Sequence, residues 1–259
     1  MVRHIIVTGA ASGIGRALAE FLAEDEGTDL FLVDRQSEPL TGLAAELGGQ
    51  SRIATLVGDL TDAEFCKRVI AECVATFGGI DALASNAGVT NGAPLLELPA
   101  EVFDHLFAVN TRPTWLLAQA AHPFLKQSGG AIVATGSIAA THPAPGLGSY
   151  AASKAALVML VRQMAVEWGP DGIRANTVSP GPTHTPMTSG YDDPELRAAR
   201  AANIPLRKVG VASDVARAMQ FLLGPQAGHI TGQDLAVDGG LGASVMALSG
   251  SGKGQPQRG

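Results

Sequence analysis

The chain has 259 residues, of which 46% are hydrophobic and 16% are charged, and its formal net charge is −6. A chain of this length and composition buries a large core, and nothing in it requires a second domain. Lysine and arginine are scattered, so there is no basic surface for nucleic acid or an anionic membrane, and the expected partner is a small molecule.

The two ends of the chain differ in composition. The amino-terminal sequence turns polar after a short apolar run, too soon for a signal peptide, and no apolar run approaches the length of a membrane span. We therefore expect a cytoplasmic protein. Residues 1–248 are predicted to form one domain and residues 249–259 to form a mobile tail.

Short apolar runs alternate with longer segments of helical periodicity. Strands are predicted at residues 5–7, 30–33, 53–57, 82–85, within 130–136 (ending near Thr135), 174–178 and 234–237. Helices are predicted at residues 13–24, 40–47, 62–77, 100–126, 150–168 and 214–223. This order indicates βαβ units, and it predicts an α/β fold with a doubly wound, Rossmann-like parallel sheet in a single domain.

A glycine-rich turn joins the first predicted strand to the first predicted helix. Its glycines let the backbone approach a pyrophosphate, and the free N–H groups of the helix start carry partial positive charge. Glycine-rich turns also simply end strands, but the strand–helix setting favours nucleotide binding. The residues predicted to form this cradle are Gly9, Ser12, Gly13, Ile14 and Gly15.

Asp34 ends the second predicted strand, about twenty residues beyond the turn. An acidic side chain there accepts hydrogen bonds from an adenosine ribose and repels a 2′-phosphate, which favours NAD over NADP. Arg35 acts in the other direction, because a guanidinium binds the phosphate that Asp34 rejects. The plain alternative is an ordinary aspartate at a strand end.

Tyr150 and Lys154 lie four residues apart at the start of a predicted helix, so both project from one face. The ammonium favours the phenolate and lowers the tyrosine pKa toward working pH, as a general acid/base requires. Ser137 follows a buried strand, at the sheet edge where open α/β sheets bind ligands. A Tyr-x-x-x-Lys pair by itself is more often a solvated surface contact.

Taken with the glycine turn, these three residues resemble the short-chain dehydrogenase/reductase family over residues 3–240. The resemblance implies that Tyr150 exchanges the substrate's proton, that Lys154 also holds the nicotinamide ribose and that Ser137 orients the substrate oxygen. It also supports NAD, because family members that use NADP often carry a basic residue where this chain has Ser12.

The resemblance assigns cofactor contacts after the third and fourth strands. Asp59 and Leu60 match the family's adenine-contacting pair, and Asn86 and Gly88 belong to its Asn-Ala-Gly motif. Ser85 stands where the family usually has another asparagine. We expect this difference to affect one hydrogen bond that braces the strand, and to affect the activity less. Without the family, these residues are loop aspartates and turn asparagines.

The loop after the strand at 174–178 is similar to the family's Pro-Gly-x-x-x-Thr motif. The resemblance places the backbone of Thr183 at the nicotinamide carboxamide and Thr185 near the phosphates, with Pro180 opening the loop. A proline-stiffened loop without a role fits the same residues. Residues 187–208 are polar and interrupted by proline, which suits a modest lid.

Asn110 lies within the helix predicted at 100–126, and in the family the matching asparagine belongs to a proton relay through water to the lysine. Pro113 cannot bond to the carbonyl of Val109, so the helix is predicted to open beside Asn110. The alternative is that Pro113 begins a separate helix that Asn110 caps.

These residues predict an NAD-dependent alcohol dehydrogenase or carbonyl reductase for a small secondary alcohol, polyol or cyclic diol. The catalytic set is Ser137, Tyr150, Lys154 and Asn110, with no metal. One alternative is an NADPH-dependent 3-oxoacyl thioester reductase. Another is a non-catalytic protein that senses NAD redox state, although a sensor has no need to retain all four residues.

The substrate region is expected to include loops at 90–91 and 138–148 and the segment from residue 184 onward. Its mixture of polar side chains such as His142 and apolar ones such as Leu147 suits a compact hydroxylated molecule. A lone histidine there is more often a loop residue than a ligand.

Two further features concern packing and assembly. Cys66 and Cys73 fall on one face of a predicted helix, too far apart for a disulfide, and are expected to be packing thiols.

Small or aliphatic residues on the helices at 100–126 and 150–168 are expected to face another subunit, and similar proteins form homotetramers. The alternative is that the same residues pack on the sheet; they include Leu116, Ala120, Ala151 and Ala155.

Overall fold

A computed structural model of the protein describes residues 2–49, 52–91 and 93–244, and the predicted tail at 249–259 lies outside the described residues. The strands are β1 Arg3–Thr8, β2 Thr28–Asp34, β3 Ile53–Val57, β4 Ala82–Ser85, β5 Ala131–Thr135, β6 Arg174–Pro180, β7 Thr183–His184, β8 Gly210–Val211 and β9 Asp234–Val237. The helices are α1 Gly13–Glu24, α2 Ser37–Leu47, α3 Ala63–Phe77, α4 Ala100–Asn110, α5 Arg112–Ser128, α6 Ser149–Trp168, α7 Pro194–Ala201 and α8 Ala212–Leu223.

Seven strands form one parallel sheet in the order β3-β2-β1-β4-β5-β6-β9. β1 and β4 are neighbours although β2 and β3 separate them in sequence, so the winding reverses between them. Ligands bind outside the carboxyl ends of the strands at such a reversal. The predicted doubly wound, Rossmann-like sheet in a single α/β domain is confirmed, whereas the short β7–β8 pair was not predicted.

The sheet is covered on both faces, which explains why its strands read as continuous apolar runs. In β1, Ile5 and Val7 pack with α1, α2 and α8, while Ile6 packs with α3, α5 and α6 on the opposite face. Successive side chains in a strand point to opposite faces, so one strand contributes to two cores. The two cores hold the strands in register and bring their carboxyl ends to one edge.

The single helix predicted at 100–126 is two helices, because Thr111 adopts φ −123° and ψ −55° between α4 and α5. Pro113 lies in the first turn of α5, where its missing N–H costs no hydrogen bond. The prediction of one opened helix is therefore wrong. The alternative is confirmed in that a second helix begins near Pro113, but it is wrong in that Asn110 does not cap this helix. Asn110 is the last residue of α4, and Thr111 occupies the N-cap position of α5.

Cys66 and Cys73 are fully buried in α3 as free thiols, so the predicted packing role is confirmed. Burial raises the pKa of Cys66 to about 11 and that of Cys73 to about 12, which keeps both protonated and unreactive.

Across residues 2–49, 52–91 and 93–244, no three histidine, cysteine, aspartate or glutamate side chains gather as metal ligands do. None of the helices described there combines the length and hydropathy needed to cross a bilayer.

Apolar side chains on α5 and α6 divide between the core and the surface. Leu116 and Ala120 are partly buried against the core, as the packing alternative predicted for them. Trp115, Met159 and Val166 are 43%, 60% and 75% exposed, so an apolar surface remains on these helices.

Ser85, at the end of β4, makes a buried hydrogen bond with Thr114 of α5, and the two hydroxyl oxygens lie 2.7 Å apart. This position departs from the family's usual asparagine, yet a side chain still braces the strand. The bond joins the sheet to α5 near the helix start that follows Thr111.

We expect Ser85→Ala to lower the free energy of unfolding by about 1–3 kcal/mol, because the buried Thr114 hydroxyl loses its partner. Combining Ser85→Ala with Thr114→Val removes both hydroxyls and should recover most of the loss. Urea denaturation followed by circular dichroism measures this. If the double variant loses as much free energy of unfolding as the two single variants added together, the hydrogen bond does not stabilise the fold.

Candidate functional site

A cavity of about 910 Å³ runs along the carboxyl edge of the sheet. It is formed by loops that follow the central strands, and most of the site residues predicted from the sequence meet in its walls. Gly15 and Asn110 do not line it. The predicted residues that do are Gly9, Ser12, Gly13, Ile14, Asp34, Asp59, Leu60, Asn86, Gly88, Ser137, Tyr150, Lys154, Pro180, Thr183 and Thr185.

The glycine turn has a backbone that other residues adopt only with strain. Gly9 and Gly13 have φ of 65° and 56°, in the left-handed region. A Cβ added to Gly15 would lie 2.1 Å from the carbonyl oxygen of Gly9. Gly15 therefore allows α1 to pack closely on the turn, and Gly9 and Gly13 shape the cavity wall.

The first turn of α1 has no side-chain cap. Ser12 occupies the N-cap position without bonding the helix N–H groups, and the first turn contains no acidic residue. Such N–H groups attract an anion through their partial positive charge. The turn and the helix start therefore fit the pyrophosphate of a dinucleotide.

Asp34 is held against the glycine turn by two backbone hydrogen bonds. Its Oδ2 accepts from Ala11 N at 3.0 Å, and its Oδ1 accepts from Gln36 N at 3.0 Å. Each carboxylate oxygen has a second lone pair, so the side chain can still accept from ribose hydroxyls. Arg35 is exposed and lines the same cavity, which places both signs of charge at this end.

Asp59 is a second fixed acidic group in the wall. Its Oδ1 accepts from Thr61 N at 2.8 Å, and this hydrogen bond is the main cause of a lowered pKa. The positive charge of Arg35 acts in the same direction, whereas burial opposes it. Asp59 is therefore an anion at neutral pH.

Asn86 joins the ends of three strands. Its Nδ2 donates to the carbonyl oxygens of Thr8 and Gly9 at 3.2 and 3.3 Å, and its Oδ1 accepts from the Thr135 hydroxyl at 2.9 Å. The backbone N–H groups of Asn86 and Ala87 both donate to the Thr8 hydroxyl. A residue predicted as a cofactor contact thus also fixes the glycine turn relative to β5.

Lys154 is nearly buried, with 3% of its surface exposed, and its Nζ donates to the carbonyl oxygen of Thr135 at 2.7 Å. Removing an ammonium from water disfavours its charged form, so burial lowers the pKa of Lys154 from 10.5 to about 8. The side chain is therefore mainly protonated at neutral pH and loses its charge in mildly alkaline solution.

Tyr150 shares this wall with Ser137. Burial raises the pKa of Tyr150 above its ordinary value, and the Ser137 hydroxyl acts in the opposite direction. The sequence predicted that Lys154 lowers this pKa, but the net direction in the structure is upward because the desolvation of the phenol dominates. Ser137 is itself fixed, since its Oγ accepts from Ala139 N at 3.1 Å.

Asn110 lies behind the cavity wall and is almost fully buried. Its Oδ1 accepts from Val89 N at 2.8 Å, and its Nδ2 donates to Val89 O and to the Ser153 hydroxyl at 3.0 and 3.1 Å. The Ser153 hydroxyl in turn donates to the Tyr150 carbonyl at 2.8 Å. Asn110 therefore connects the loop after β4 to the helix that carries Tyr150.

Gly88 allows Asn110 and Lys154 to approach the same stretch of backbone. A Cβ added to Gly88 would lie 3.2 Å from Asn110 Oδ1 and 3.4 Å from Lys154 Nζ. A larger residue would have to displace one of these two polar groups.

The predicted substrate loops enter the cavity only in part. His184 lies outside it, and its Nε2 is 2.6 Å from Asp192 Oδ1. Asn91 and Pro143 also fall outside the described wall. The residues of these loops that do line it include Thr90, His142, Leu147, Met187 and Thr188.

The sequence analysis did not name several lining residues, although Tyr191 and Arg200 fall in the segment it predicted as a lid. Residues 194–201 form α7, whose N-cap Asp193 accepts from Glu195 N at 2.8 Å; this Asp-Pro-Glu start was a readable signal. No local signal identified the turn after β9 as part of the wall. The missed lining residues include Tyr191, Arg200, Leu241 and Gly242.

Comparisons with known proteins agree with this geometry. A family model described as enoyl-(acyl carrier protein) reductase matches residues 9–242. The chain is 36% identical to the glucose 1-dehydrogenase of Gluconobacter oxydans over 246 residues, which cover 92% of this chain and 91% of the relative. It is 34% identical to the 3-oxoacyl-[acyl-carrier-protein] reductase of Thermotoga maritima over 238 residues, with 91% and 96% covered.

The crystal structure of levodione reductase superimposes on this structure with a TM-score of 0.86. The two sequences are 32% identical, and the match covers 93% of this chain and 98% of the other. The likeness therefore extends over nearly the whole fold.

The depressed pKa of Lys154 predicts a pH-dependent stability. Between about 8 and 10.5 the unfolded chain binds more protons at this residue than the folded chain does, so its contribution to folding stability rises with pH through that window. The difference in free energy of unfolding between the wild type and Lys154→Met should therefore increase as the pH is raised from about 8 to 10.5. Urea denaturation below, within and above the window measures this, and exposed Lys208→Met is the control that should give a flat difference.

Proposed function

Because the chain belongs to the short-chain dehydrogenase/reductase family, whose members are oxidoreductases with a nicotinamide cofactor, we propose that it transfers a hydride between NAD and a small secondary alcohol, polyol or cyclic diol, or the matching ketone. The observation that carries the proposal is that Ser137, Tyr150 and Lys154 line the same cavity as the glycine turn. The similarity to a glucose 1-dehydrogenase supports a hydroxylated substrate.

Tyr150 exchanges the proton of the substrate oxygen. Because burial raises its pKa, the phenol is protonated at neutral pH and suits the donation of a proton to a carbonyl oxygen. Alcohol oxidation is the reverse and requires the same oxygen to accept the proton. The Ser137 hydroxyl, which already acts on this pKa, orients the substrate oxygen. NAD, when bound, accepts or supplies the hydride.

Lys154 is proposed to hold the nicotinamide ribose and to restore the proton of Tyr150. Its ammonium needs little movement to do so, since Thr135 O fixes it in the wall. Asn110 is proposed to keep the proton route open. Because its side chain is committed to the Val89 backbone and the Ser153 hydroxyl, its contribution is to hold these two groups at a fixed separation rather than to contact the substrate.

The choice of NAD over NADP rests on Asp34. Its anchored carboxylate accepts from ribose hydroxyls and repels a 2′-phosphate. Arg35 is exposed, so solvent screens its attraction for a 2′-phosphate and it compensates only in part, and Ser12 adds no positive charge. The other predicted contacts that line the same cavity include Asp59 and Thr185.

A second candidate is an NADPH-dependent 3-oxoacyl thioester reductase. The similarity to a 3-oxoacyl-[acyl-carrier-protein] reductase favours it. The mixed polar and apolar lining around His142, Leu147 and Thr188 favours a compact substrate instead. A redox sensor without turnover is disfavoured because Ser137 and Tyr150 are retained.

Assembly as a homo-oligomer, a tetramer by family resemblance, is part of the proposal. The exposed apolar side chains of Trp115, Met159 and Val166 on α5 and α6 support a contact between subunits through these helices.

The proposed function is tested by following NAD reduction with secondary alcohols, polyols and cyclic diols, and NADPH oxidation with acetoacetyl thioesters. We expect turnover with the first group. Tyr150→Phe should lower kcat by about 10²–10⁴-fold while NADH binding, measured by fluorescence, is retained.

The control is Tyr191→Phe, because Tyr191 is the chain's other tyrosine and lines the same cavity. The kcat of this variant should fall by less than about tenfold relative to the wild type. Efficient thioester reduction with NADPH, and no turnover of alcohols with NAD, would establish the second candidate instead.

Cofactor choice has its own prediction. Asp34→Ala should reduce the ratio of kcat/KM for NAD to that for NADP by about tenfold or more, since it removes both the repulsion and the ribose acceptor. Arg35→Ala should change the ratio in the opposite direction. A wild type that prefers NADP would mean that Arg35 outweighs Asp34.

A further inference from the structure

His142 lines the cavity together with Ser137 and Tyr150, and the mechanism proposed above does not use it. Its backbone N–H donates to Ile138 O at 2.8 Å. Because Ile138 directly follows Ser137, this hydrogen bond folds the loop back and keeps His142 about one helical turn from the proposed catalytic serine.

One of the two ring nitrogens of His142 has a hydrogen-bond partner in the protein. Its Nδ1 lies 2.8 Å from the Thr141 hydroxyl, and a Cβ added to Gly242 would lie 3.3 Å from its Cε1. The ring is thus confined between its own loop and the turn after β9. Nothing in residues 2–49, 52–91 or 93–244 forms a hydrogen bond with Nε2.

Two threonine hydroxyls in the same wall are already used by the protein. Thr183 Oγ1 donates to Gly181 O at 3.0 Å, and Thr188 Oγ1 donates to Thr183 O at 2.6 Å. A polar group that already has one hydrogen-bond partner in the protein and keeps a second position free loses less freedom when it binds a ligand, so it is better suited to select one. His142 meets this description.

Proton counting identifies what Nε2 can bind. The Thr141 hydroxyl has one proton and two acceptors in reach, Ile138 O at 3.3 Å and His142 Nδ1. If the proton goes to Ile138 O, Nδ1 carries a hydrogen and Nε2 is an acceptor; if it goes to Nδ1, Nε2 is a donor. An alcohol hydroxyl both donates and accepts, so it satisfies Nε2 in either tautomer.

We propose that Nε2 of His142 binds a second hydroxyl group of the substrate, so that the enzyme selects diols and polyols over monohydric alcohols. This inference rests on the proposed function and names its substrate class. Tyr150 and Ser137 bind the oxygen that reacts, and His142 binds a neighbouring oxygen that does not.

The test compares substrates that differ by one hydroxyl: vicinal cyclohexanediol with cyclohexanol, and propylene glycol with isopropanol, each with NAD. His142→Ala should lower kcat/KM for the diols by about tenfold, as expected for one lost hydrogen bond, and change it less than about twofold for the monohydric alcohols. His142→Gln keeps a donor and an acceptor on the side chain and should recover part of the loss.

Leu147→Ala is the matched control, because Leu147 lines the same cavity without a polar group and its loss should affect both members of a pair alike. A His142→Ala variant that loses diol and monohydric alcohol equally, or neither, overturns the inference while leaving the proposed function standing. A wild type that oxidises other alcohols with NAD but neither of these two diols overturns the inference alone. A wild type that oxidises no secondary alcohol, polyol or cyclic diol with NAD overturns the proposed function and this inference together.

Discussion

The hydrogen bonds of Asn86 hold together the part of the molecule on which the site depends. Asn86 lies after β4, where the winding of the sheet reverses, and its side chain bonds the ends of β1 and β5 at the same time. Asn86 accepts from the Thr135 hydroxyl, and the carbonyl oxygen of the same threonine accepts from Lys154. The glycine turn and the proposed catalytic lysine are therefore parts of one hydrogen-bonded unit.

Burial determines the chemistry of the two titratable residues in this unit. It lowers the pKa of Lys154 to about 8 and raises that of Tyr150, so both shifts favour the neutral form. A nearby charge changes the pKa values of these two buried residues more than it would in water, because the local dielectric constant is lower. The state of Tyr150 is thus set by how completely water is excluded, with Ser137 as the protein group that acts against burial.

A second set of contacts behind the wall connects two helices to the loop after β4. Asn110 ends α4, and its amide bonds both Val89 and Ser153. Thr111, in the break between α4 and α5, donates its hydroxyl proton to Ser153 O at 2.8 Å. The break between the helices thus lies where two consecutive polar side chains bond α6.

The sequence by itself determined the features that arise from local physics. Alternating apolar and helical segments predicted the doubly wound sheet, Gly9 and Gly13 predicted the turn before α1, and the four-residue spacing put Tyr150 and Lys154 on one helix face. Only the tertiary structure decided the break at Thr111, the direction of the Tyr150 pKa shift and the entry of His142, but not His184, into the cavity. These depend on how much water distant elements exclude and which partners they supply, and no spacing along the chain contains that information.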